Sequence, residues 1–469
     1  MTNDRLKSLA VVVLCAVWSA SSYAQQAGPP AQASQMPPLT LTDAVQLALA
    51  NYPAVQEQRA RAQAAQEEIA VARTAYLPRV DALWQENRAT HNNVFGLLFP
   101  QYVIPPMSGP VLARTSESVW GSAAGAFVSW DAVDFGQRKA VVDAARAQQA
   151  AATARTQETE LDTAAAVADA FLTVLAADAT VRAAQANVDR LQVFGNAVIT
   201  LVTNQLRPGA DQSRAEAELA VARNQLAQAQ QNADIARATL AEAIGRPGVR
   251  IELVPGRLSE VPPGTEAAAT VEMHPAARAA RASIDVVRAR ERILERSVFP
   301  RIALQSAASA RASGAVVPGI GSTPNGLWPQ VSNWAAGVSV IIPVSGLFTV
   351  KPQQRVEAQN EVAERARYDE TIVTLQTQQL RAQALLRAAA AIAQNMPTVL
   401  RAADDTQQRA RARYDSGLAN ITEVAEAQHL LAQAEADDAV ARLGVWRALL
   451  AQAQATGDLT PFLDQLRAP

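Results

Sequence analysis

The chain has 469 residues, a formal net charge of −2 and an isoelectric point near 6.1. This charge balance lacks the overall excess of basic residues that is typical of proteins that bind nucleic acid. Aromatic residues make up only 5% of the sequence, whereas alanine and glutamine are abundant. The composition therefore favours long helices that pack through small side chains, with a core arranged as an extended seam.

An export signal is predicted over residues 1–24. Arg5 and Lys7 precede the apolar stretch LAVVVLCAVWSA, which has the length of a signal-peptide core and is too short to span a membrane. Cys15 is the single cysteine and lies in this segment, so we expect the mature chain to have no thiol or disulfide chemistry. Residues 25–38 are rich in Pro and Gln and are predicted to form a disordered tether. No later stretch predicts a helical membrane anchor.

Two copies of one unit follow, predicted over residues 39–248 and 271–457, with a linker over 249–270. Each copy contains an aromatic residue followed by Pro-Ala, in NYPAV and MHPAA, and a helical pattern that ends at a second proline 25 residues later. In the first copy, Thr42 is expected to cap a helix. Pro53 fits a position in the first turns, and the helical pattern continues beyond it.

Beyond each second proline the hydrophobic period changes from 3.6 to 2, which predicts a change from helix to strand. A polar loop and a second alternating segment follow in each copy. Alternation over about ten residues is the signature of an outer-membrane β-strand, although each segment is weak evidence by itself. The strands are predicted over residues 79–90, 118–130, 301–312 and 332–344.

From the second strands onward the two copies align with an offset of 212 residues. Each continues as a long helix, a turn and a return helix. In the first return helix Leu and Ala recur in steps of three and four, which predicts a coiled-coil seam. Asp438 interrupts this pattern in the second copy, and Pro397 predicts a kink in its long helix. The long helices are predicted over residues 137–205 and 353–416, the return helices over 211–245 and 421–456, and a C-terminal tail over 458–469.

Four strands per chain cannot close a barrel, and open sheet edges in a membrane would leave backbone groups unpaired at a cost of several kcal/mol each. Three chains would supply twelve strands, within the range known for outer-membrane barrels. Two chains would supply eight, too few for an open lumen. The pattern therefore predicts an α+β membrane protein that assembles from three or more chains.

The segments LTLTDAVQLALANYPAV, WDAVDFGQR, RPGADQSRAEAELA and RYDSGLANITEVAEAQHLLAQAEAD together resemble the TolC-type outer-membrane efflux protein family. The resemblance covers residues 39–457. It implies a homotrimer in the Gram-negative outer membrane, with a twelve-stranded barrel continuous with a periplasmic α-helical barrel. It also implies a periplasmic adaptor and an inner-membrane pump as partners, and passive export of small molecules. The alternatives are a duct for type I protein secretion and a periplasmic coiled-coil scaffold that transports nothing.

The resemblance also implies roles for the two turns between long and return helices. The turns would be tips that contact the adaptor, and acidic residues beside them would narrow the periplasmic aperture. The expected tip residues are Gln205, Leu206, Arg207, Pro208, Gly209, Gly417, Leu418, Ala419 and Asn420. The expected aperture residues are Glu423, Glu426 and Asp211, of which the two glutamates share a helix face by their spacing.

Enzymatic chemistry finds little support in the sequence. His91, His274 and His429 are scattered and have no metal-ligand spacing, and the chain has no phosphate-binding loop or nucleophile motif, so neither metal nor cofactor is expected. His274 is interpreted as structural. Trp120 and Trp334 are expected to belong to an aromatic girdle at the membrane interface, with ordinary strand packing as the alternative.

Overall fold

A computed structural model describes residues 37–90, 118–249, 251–260, 262, 270–314 and 326–467. The expected signal peptide, Cys15, nearly all of the tether and His91 lie outside these residues. The helices are α1 Leu41–Asn51, α2 Pro53–Thr74, α3 Gln137–Thr203, α4 Gly209–Ala243, α5 Pro275–Ser297, α6 Gly346–Asp415, α7 Ile421–Thr456 and α8 Thr460–Arg467. The strands are β1 Arg79–Thr90, β2 Ser118–Val133, β3 Arg301–Ser313 and β4 Val331–Ile341.

The first helix is capped by Thr40 and not, as expected, by Thr42. The Thr40 hydroxyl accepts a hydrogen bond from the backbone N–H of Asp43 at 3.2 Å and donates one to its carboxylate at 2.6 Å. Pro53 does not continue this helix. Tyr52 is extended, as a residue before proline tends to be, so α2 is a separate helix with Pro53 in its first turn.

The four strands form one antiparallel sheet in the order β1-β2-β3-β4. The two copies meet between β2 and β3, where Ala124 pairs with Ala310 and Trp130 with Leu304. In this described sheet β1 and β4 each have a neighbour on one side only. Both outer edges therefore present backbone groups that another strand could pair with.

Alternation gives the sheet two chemically different faces. The register places on the apolar face Val80, Ala82, Trp84, Trp120, Ala124, Ala126, Val128, Trp130, Ile302, Leu304, Ala308, Ala310, Trp334, Ala336, Val338 and Val340. The polar face carries Arg79, Asp81, Gln85, Ser129, Asp131, Arg301, Gln305, Ser309, Arg311, Asn333 and Ser339, together with apolar residues that include Leu83 and Phe127. Two charged residues of the apolar face, Glu86 and Arg88, lie toward the loop end of β1.

The helices next to the sheet follow the order of the strands. Helices α2, α3, α5 and α6 contact one another in that sequence, and farther from the sheet α4 packs on α3 while α7 packs on both α3 and α6. Helix α5 thus has a helix of its own chain on each side. The open edges of the helical layer are α2 and α4 on the β1 side and α6 on the β4 side.

The two long hairpins repeat the same side-chain packing. One cluster between α3 and α4 contains Val188, Leu191, Leu219 and Ala222. A cluster between α6 and α7 contains Leu400, Ala403, Leu431 and Ala434, each 212 residues farther along. Asp438, which takes the place of Leu226, is buried and forms an ion pair with Arg442. That pair offsets part of the cost of burying a carboxylate where the first copy has leucine.

The largest core lies midway along the chain's long helices. Helix α3 contains an apolar stretch long enough to cross a bilayer, but just over half of that stretch is buried inside the chain. Phe171, Leu172 and Val174 pack there among residues of α1, α7 and α8. The segment assigned to a C-terminal tail therefore contains a helix, whose Phe462 ring lies 6.0 Å from the Trp446 ring.

Helix α6 begins at Gly346, seven residues before its expected start, and continues through Pro352 and Pro397 to Asp415. Each proline removes a backbone donor and crowds the preceding turn. The packing of α6 against α5 and α7 maintains one continuous helix in spite of this loss. Pro397 therefore lies inside one continuous helix, and the kink expected there stays a prediction.

His274 joins the two ends of the second copy. Its Nδ1 accepts a hydrogen bond from the N–H of Ala276 at 3.1 Å, and its Nε2 lies 3.0 Å from the Gln454 carbonyl oxygen. Because a carbonyl can only accept, Nε2 carries the hydrogen. Gly457 ends α7 with φ +83°, and a Cβ there would lie 2.8 Å from the His274 ring. The first copy has Gly245 in the corresponding position, against Asn51.

Candidate functional site: the two helix tips

Both long helices end in the same hydrogen-bonded turn. In the first tip the N–H of Leu206 donates to the Leu201 carbonyl at 2.9 Å and the N–H of Gln205 donates to the Val202 carbonyl at 2.9 Å. In the second tip Leu418 donates to the Arg413 carbonyl at 2.8 Å, and Gly417 donates to the Tyr414 carbonyl at 3.0 Å. This pair of bonds is the Schellman motif, which turns the chain sharply and satisfies the last carbonyls of a helix.

The motif requires one residue with a left-handed backbone conformation, and the two copies have different residues in this position. Gly417 has φ +77°, whereas Gln205 has φ +58°. A side chain in this region costs about 1–2 kcal/mol because its Cβ approaches the following carbonyl oxygen, and glycine avoids that cost. The first tip therefore holds its turn under backbone strain that the second tip lacks.

A leucine projects from each tip. Leu206 is 67% exposed and Leu418 is 74% exposed. In a Schellman motif the residue at this position commonly packs back on the helix, but here most of each side chain remains in contact with solvent. Pro208 and Asn420 then precede the return helices, and the Asn420 side chain caps α7 by accepting from the N–H of Glu423 at 2.9 Å.

A cluster centred on Tyr414 connects the two tips. The Tyr414 hydroxyl donates to the Asp211 carboxylate at 3.1 Å. The Arg207 guanidinium lies 4.3 Å from the centre of the Tyr414 ring and also donates to the Tyr414 carbonyl. Since Arg207 and Asp211 belong to the first copy and Tyr414 to the second, these contacts hold one hairpin against the other.

Tyr414 is 1% exposed, and its ring packs edge-on against Phe194 at 5.5 Å. Burial, followed by the hydrogen bond to Asp211, raises the pKa of Tyr414 to about 12. The phenol is therefore a neutral hydrogen-bond donor throughout the physiological pH range. The sequence analysis did not single out this residue. The signal available was a tyrosine on the last turn of the long helix, where the first copy has Val202.

The expected aperture residues have different surroundings. Glu423 lies 3.2 Å from the Arg413 guanidinium, an ion pair between the two arms of the second hairpin. Glu426 is exposed on the same helix, with no ion pair among the residues that the structure describes. Asp211 is the acceptor for Tyr414. The described contacts therefore join Asp211 to the Tyr414 cluster and not to either glutamate, and Glu426 retains the least compensated charge of the three.

The two tryptophans expected in the aromatic girdle lie on one face of the sheet. Trp120 and Trp334 are on the apolar face, and Trp334 is 84% exposed. The Arg88 guanidinium lies 5.6 Å from the centre of the Trp120 ring. Their place in a girdle at a membrane–water interface stays a prediction.

A second aromatic group, not anticipated from the sequence, lies where the strands meet the helices. The rings of Phe135 and Phe299 stack 6.4 Å apart, and the two residues are 50% and 42% exposed. The Trp130 indole donates to the Tyr76 carbonyl at 3.0 Å, and Phe348 is 79% exposed. Phe135 and Phe299 lie in the turns between helix and strand, so neither the helical nor the strand period marks them in the sequence.

Among the described residues, no three His, Cys, Asp or Glu side chains lie close enough together to hold a metal ion. The tips offer hydrogen bonds, charge and exposed apolar surface.

The family model described as outer membrane efflux protein matches residues 44–246 and 269–458. A search of curated protein sequences finds no match. Solved structures share the fold at low identity. The CusC channel has a TM-score of 0.73 at 16% identity, over 92% of this chain and 97% of that one. The open state of the MtrE outer membrane channel of Neisseria gonorrhoeae has a TM-score of 0.71 at 19% identity, over 89% of each chain.

A third similar structure, the outer-membrane channel OprN, has a TM-score of 0.69 at 18% identity, over 92% of this chain and 94% of that one. The family match includes both copies of the repeated pattern and far more than half of the sequence. The resemblance to TolC-type proteins is thereby confirmed, and the chain belongs to the outer membrane efflux protein family.

Proposed function

We propose that three copies of this chain close a twelve-stranded barrel in the Gram-negative outer membrane and form the passive exit duct of a tripartite efflux system. A periplasmic adaptor would contact the tips, and an energised inner-membrane pump would supply small-molecule cargo. The observation that carries the proposal is a four-stranded sheet with one apolar face and two open edges, continuous with two long helical hairpins.

The two faces of the sheet support the membrane location. The apolar face, with its tryptophans and alanines, matches the hydrocarbon-facing surface of a barrel, and the polar face matches a water-filled lumen. The open edges would be costly in lipid unless another strand paired with them. Pairing β4 of one chain with β1 of the next removes both edges, and three such contacts give twelve strands.

The helical edges support the same head-to-tail contact. Helix α6 exposes Leu385, Ile392 and Val399, which recur every seven residues, and α4 exposes Val221 and Ile235. Leu385 and Val399 are as far apart as Val221 and Ile235, so the two apolar stripes have equal length. A seven-residue repeat is what an antiparallel helix of a neighbouring chain would pack against.

The shared packing of the two hairpins supports an origin as two copies of one unit, which together give each trimer six similar hairpins around one axis. The exposed Leu206 and Leu418 would provide apolar contacts for an adaptor. The Tyr414 cluster would hold the two hairpins of each chain together and keep the aperture narrow. Glu423, Glu426 and Asp211 would contribute charge near that aperture.

Assembly is tested by purifying the mature chain from outer membranes in mild detergent. We expect a trimer that dissociates on heating and conducts in planar bilayers. Because the mature chain is expected to contain no cysteine, Ile235→Cys combined with Leu385→Cys or Ile392→Cys should give disulfide-linked oligomers up to the trimer, and single variants should not. A monodisperse monomer without conductance would overturn the proposal and favour a periplasmic scaffold.

Contact with the adaptor is tested separately. Leu418→Asp places a charge on the exposed tip and should abolish efflux while trimers and membrane insertion persist. Val193→Asp is a matched control, because it introduces the same charge at an exposed apolar residue away from the tips, 60% exposed. Normal efflux in the Leu418→Asp variant would remove the tips from the mechanism. Transport of an unfolded protein in place of small molecules would favour the secretion alternative.

A further inference from the structure

One face of α5 carries an unusual density of arginine. Residues at steps of three and four along a helix share a face, and this face consists of Arg278, Arg281, Asp285, Arg288, Arg292 and Arg296. From its first to its last residue it extends about 27 Å at 1.5 Å per residue. We call these six residues the arginine face.

Most of its charge is uncompensated. Arg278, Arg281 and Arg292 are exposed and have no carboxylate partner among the described residues. Arg296 is also exposed; it donates to the Phe135 carbonyl and lies over the Phe299 ring at 5.5 Å. Arg288 is the exception, since it pairs with Asp285 at 3.4 Å and with Glu361 of α6 at 2.7 Å.

The corresponding face of α2, 222 residues earlier, lacks this charge. It consists of Gln56, Arg59, Gln63, Gln66, Ala70 and Thr74. Its one arginine is already paired, because Arg59 lies 2.6 Å from Glu160 of α3. Helices α2 and α5 both pack within the helical layer, although only α5 carries this row of arginines. Packing therefore does not explain the arginines.

The arginine face points to the same side of the molecule as the apolar face of the sheet. The N–H of Gly314 donates to the Trp120 carbonyl. The Trp120 carbonyl therefore points toward β3. Consider a view in which the Trp120 side chain points at the observer and the strand ends that carry the loops are at the top. The L-configuration of Trp120 then places β3 to the left of β2. Arg288 contacts α6 on the left of α5 and Ser283 contacts α3 on the right. The right-handed winding of α5 therefore turns Arg278 toward that observer.

This side is the exterior of the duct if the apolar face meets lipid, so the inference rests on the proposed function. A neighbouring copy would not cover it, because α5 has helices of its own chain on both sides and the open edges are elsewhere. The arginine face would thus remain accessible in the periplasm, starting directly below the membrane.

We propose that the arginine face binds carboxylate-bearing strands of the peptidoglycan cell wall. Guanidinium groups bind carboxylates through paired hydrogen bonds. The arginine face offers a line of separate charges with no exposed large apolar side chain between them, whereas stable protein interfaces have an apolar centre. An extended, flexible polymer with repeated carboxylates fits this line better than a folded acidic protein.

The test is co-sedimentation of the purified trimer with isolated peptidoglycan sacculi at low and high salt. Wild-type trimer should sediment with sacculi at low salt and be released by high salt. The variant Arg278→Gln/Arg281→Gln/Arg292→Gln should lose at least fivefold of the bound fraction. The control is Arg61→Gln/Arg214→Gln/Arg290→Gln, which removes the same charge elsewhere and should bind as wild type. Retention by the first variant, or an equal loss in both, would overturn the proposal.

The class of partner is tested in cells by attaching a photoactivatable crosslinker to Arg281→Cys. A product that remains with the insoluble sacculi and is released by a muramidase would support the proposal, and a product with protein alone would overturn it. Heat-modifiable trimer and conductance, measured on the same preparations, should be unchanged in both triple variants. A wild-type chain that neither forms the heat-modifiable trimer nor conducts would refute the proposed duct. A conducting trimer that does not bind sacculi would refute only the proposed binding to the cell wall.

Discussion

At the scale of single residues, the two tips differ most in the residue that turns the chain. Gln205 adopts φ +58°, a conformation that favours glycine, while its counterpart Gly417 meets the same requirement without a side chain. The geometry of the turn is set by backbone hydrogen bonds that both copies share. The sequence showed that Gln205 stands where the second copy has Gly417. It did not show that both residues adopt a left-handed backbone conformation.

We predict that Gln205→Gly stabilises the first tip against local opening by about 0.5–1 kcal/mol, the strain removed less the added freedom of the opened chain. Hydrogen exchange of the Leu206 amide should slow by about two- to fivefold. Gly417→Ala is the reciprocal test and should speed exchange at Leu418. Unchanged exchange in both variants would contradict the assignment of strain.

The Tyr414 hydroxyl supplies one of the contacts that link the two hairpins. We predict that Tyr414→Phe, which keeps the ring beneath Arg207 but removes the bond to Asp211, weakens the link by about 1 kcal/mol. The population of open tips should rise about fivefold, measured as single-channel open probability. Tyr368→Phe makes the same chemical change on α6 within another cluster and should have no effect. An unchanged open probability in Tyr414→Phe would show that this bond does not restrain the tips.

The pH dependence of that link follows from the direction of the Tyr414 pKa. The folded-state pKa, about 12, exceeds the value of about 10 for an unfolded tyrosine. The protonated phenol is therefore the form that folding favours. Its contribution is fully present below about pH 10 and is lost as the pH rises through about 12. The part of tip closure that depends on Tyr414 should accordingly be constant between pH 6 and pH 9.

At the scale of elements, the two copies are joined within the sheet by a close approach of β2 to β3. Gly125 of β2 approaches β3 so closely that a Cβ would lie 2.7 Å from the Ser309 Cβ and 2.8 Å from the Ala308 carbonyl oxygen. Backbone atoms cannot move away without loosening the ladder, which explains a glycine in the interior of a strand.

We therefore predict that Gly125→Ala lowers the yield of heat-resistant trimer severalfold, because β2 and β3 can no longer pair at their native separation. Gly337→Ala is the matched control: it lies on the polar face of β4, where an added Cβ meets no atom within 4 Å. It should assemble normally. Equal yields of both variants would show that the sheet can accommodate the methyl group at the join.

The elements that the sequence indicated well were those with a clear period and an internal copy for comparison. Residues 301–313 alternate apolar and polar side chains, and a second strand stands at the matching place in the first copy. The start of α6 was placed seven residues too late, because the helix begins at Gly346 and continues through Pro352. The contact between Tyr414 and Asp211 joins residues 203 positions apart, and no local pattern encodes it.

At the scale of the whole molecule, three-fold symmetry would turn single features into rings. The arginine face would recur three times around the exterior, and the polar face of the sheet would line the lumen. The acidic residues beside the second tip would form a ring at the narrow end. There the ion pair between Glu423 and Arg413 matters, because it compensates one of the two glutamates within each chain.

The two glutamates should therefore contribute unequally to ion selectivity. Removing charge at Glu426, which has no ion pair among the described residues, should reduce the preference for K⁺ over Cl⁻ more than removing it at Glu423, whose carboxylate lies 3.2 Å from Arg413. We predict that Glu426→Gln lowers the permeability ratio about twofold or more and weakens block by divalent cations from the periplasmic side. Glu423→Gln should have a smaller effect, since it also releases Arg413. Reversal potentials of single channels measure the difference, and equal ratios in wild type and Glu426→Gln would show that this carboxylate faces solvent away from the ion path.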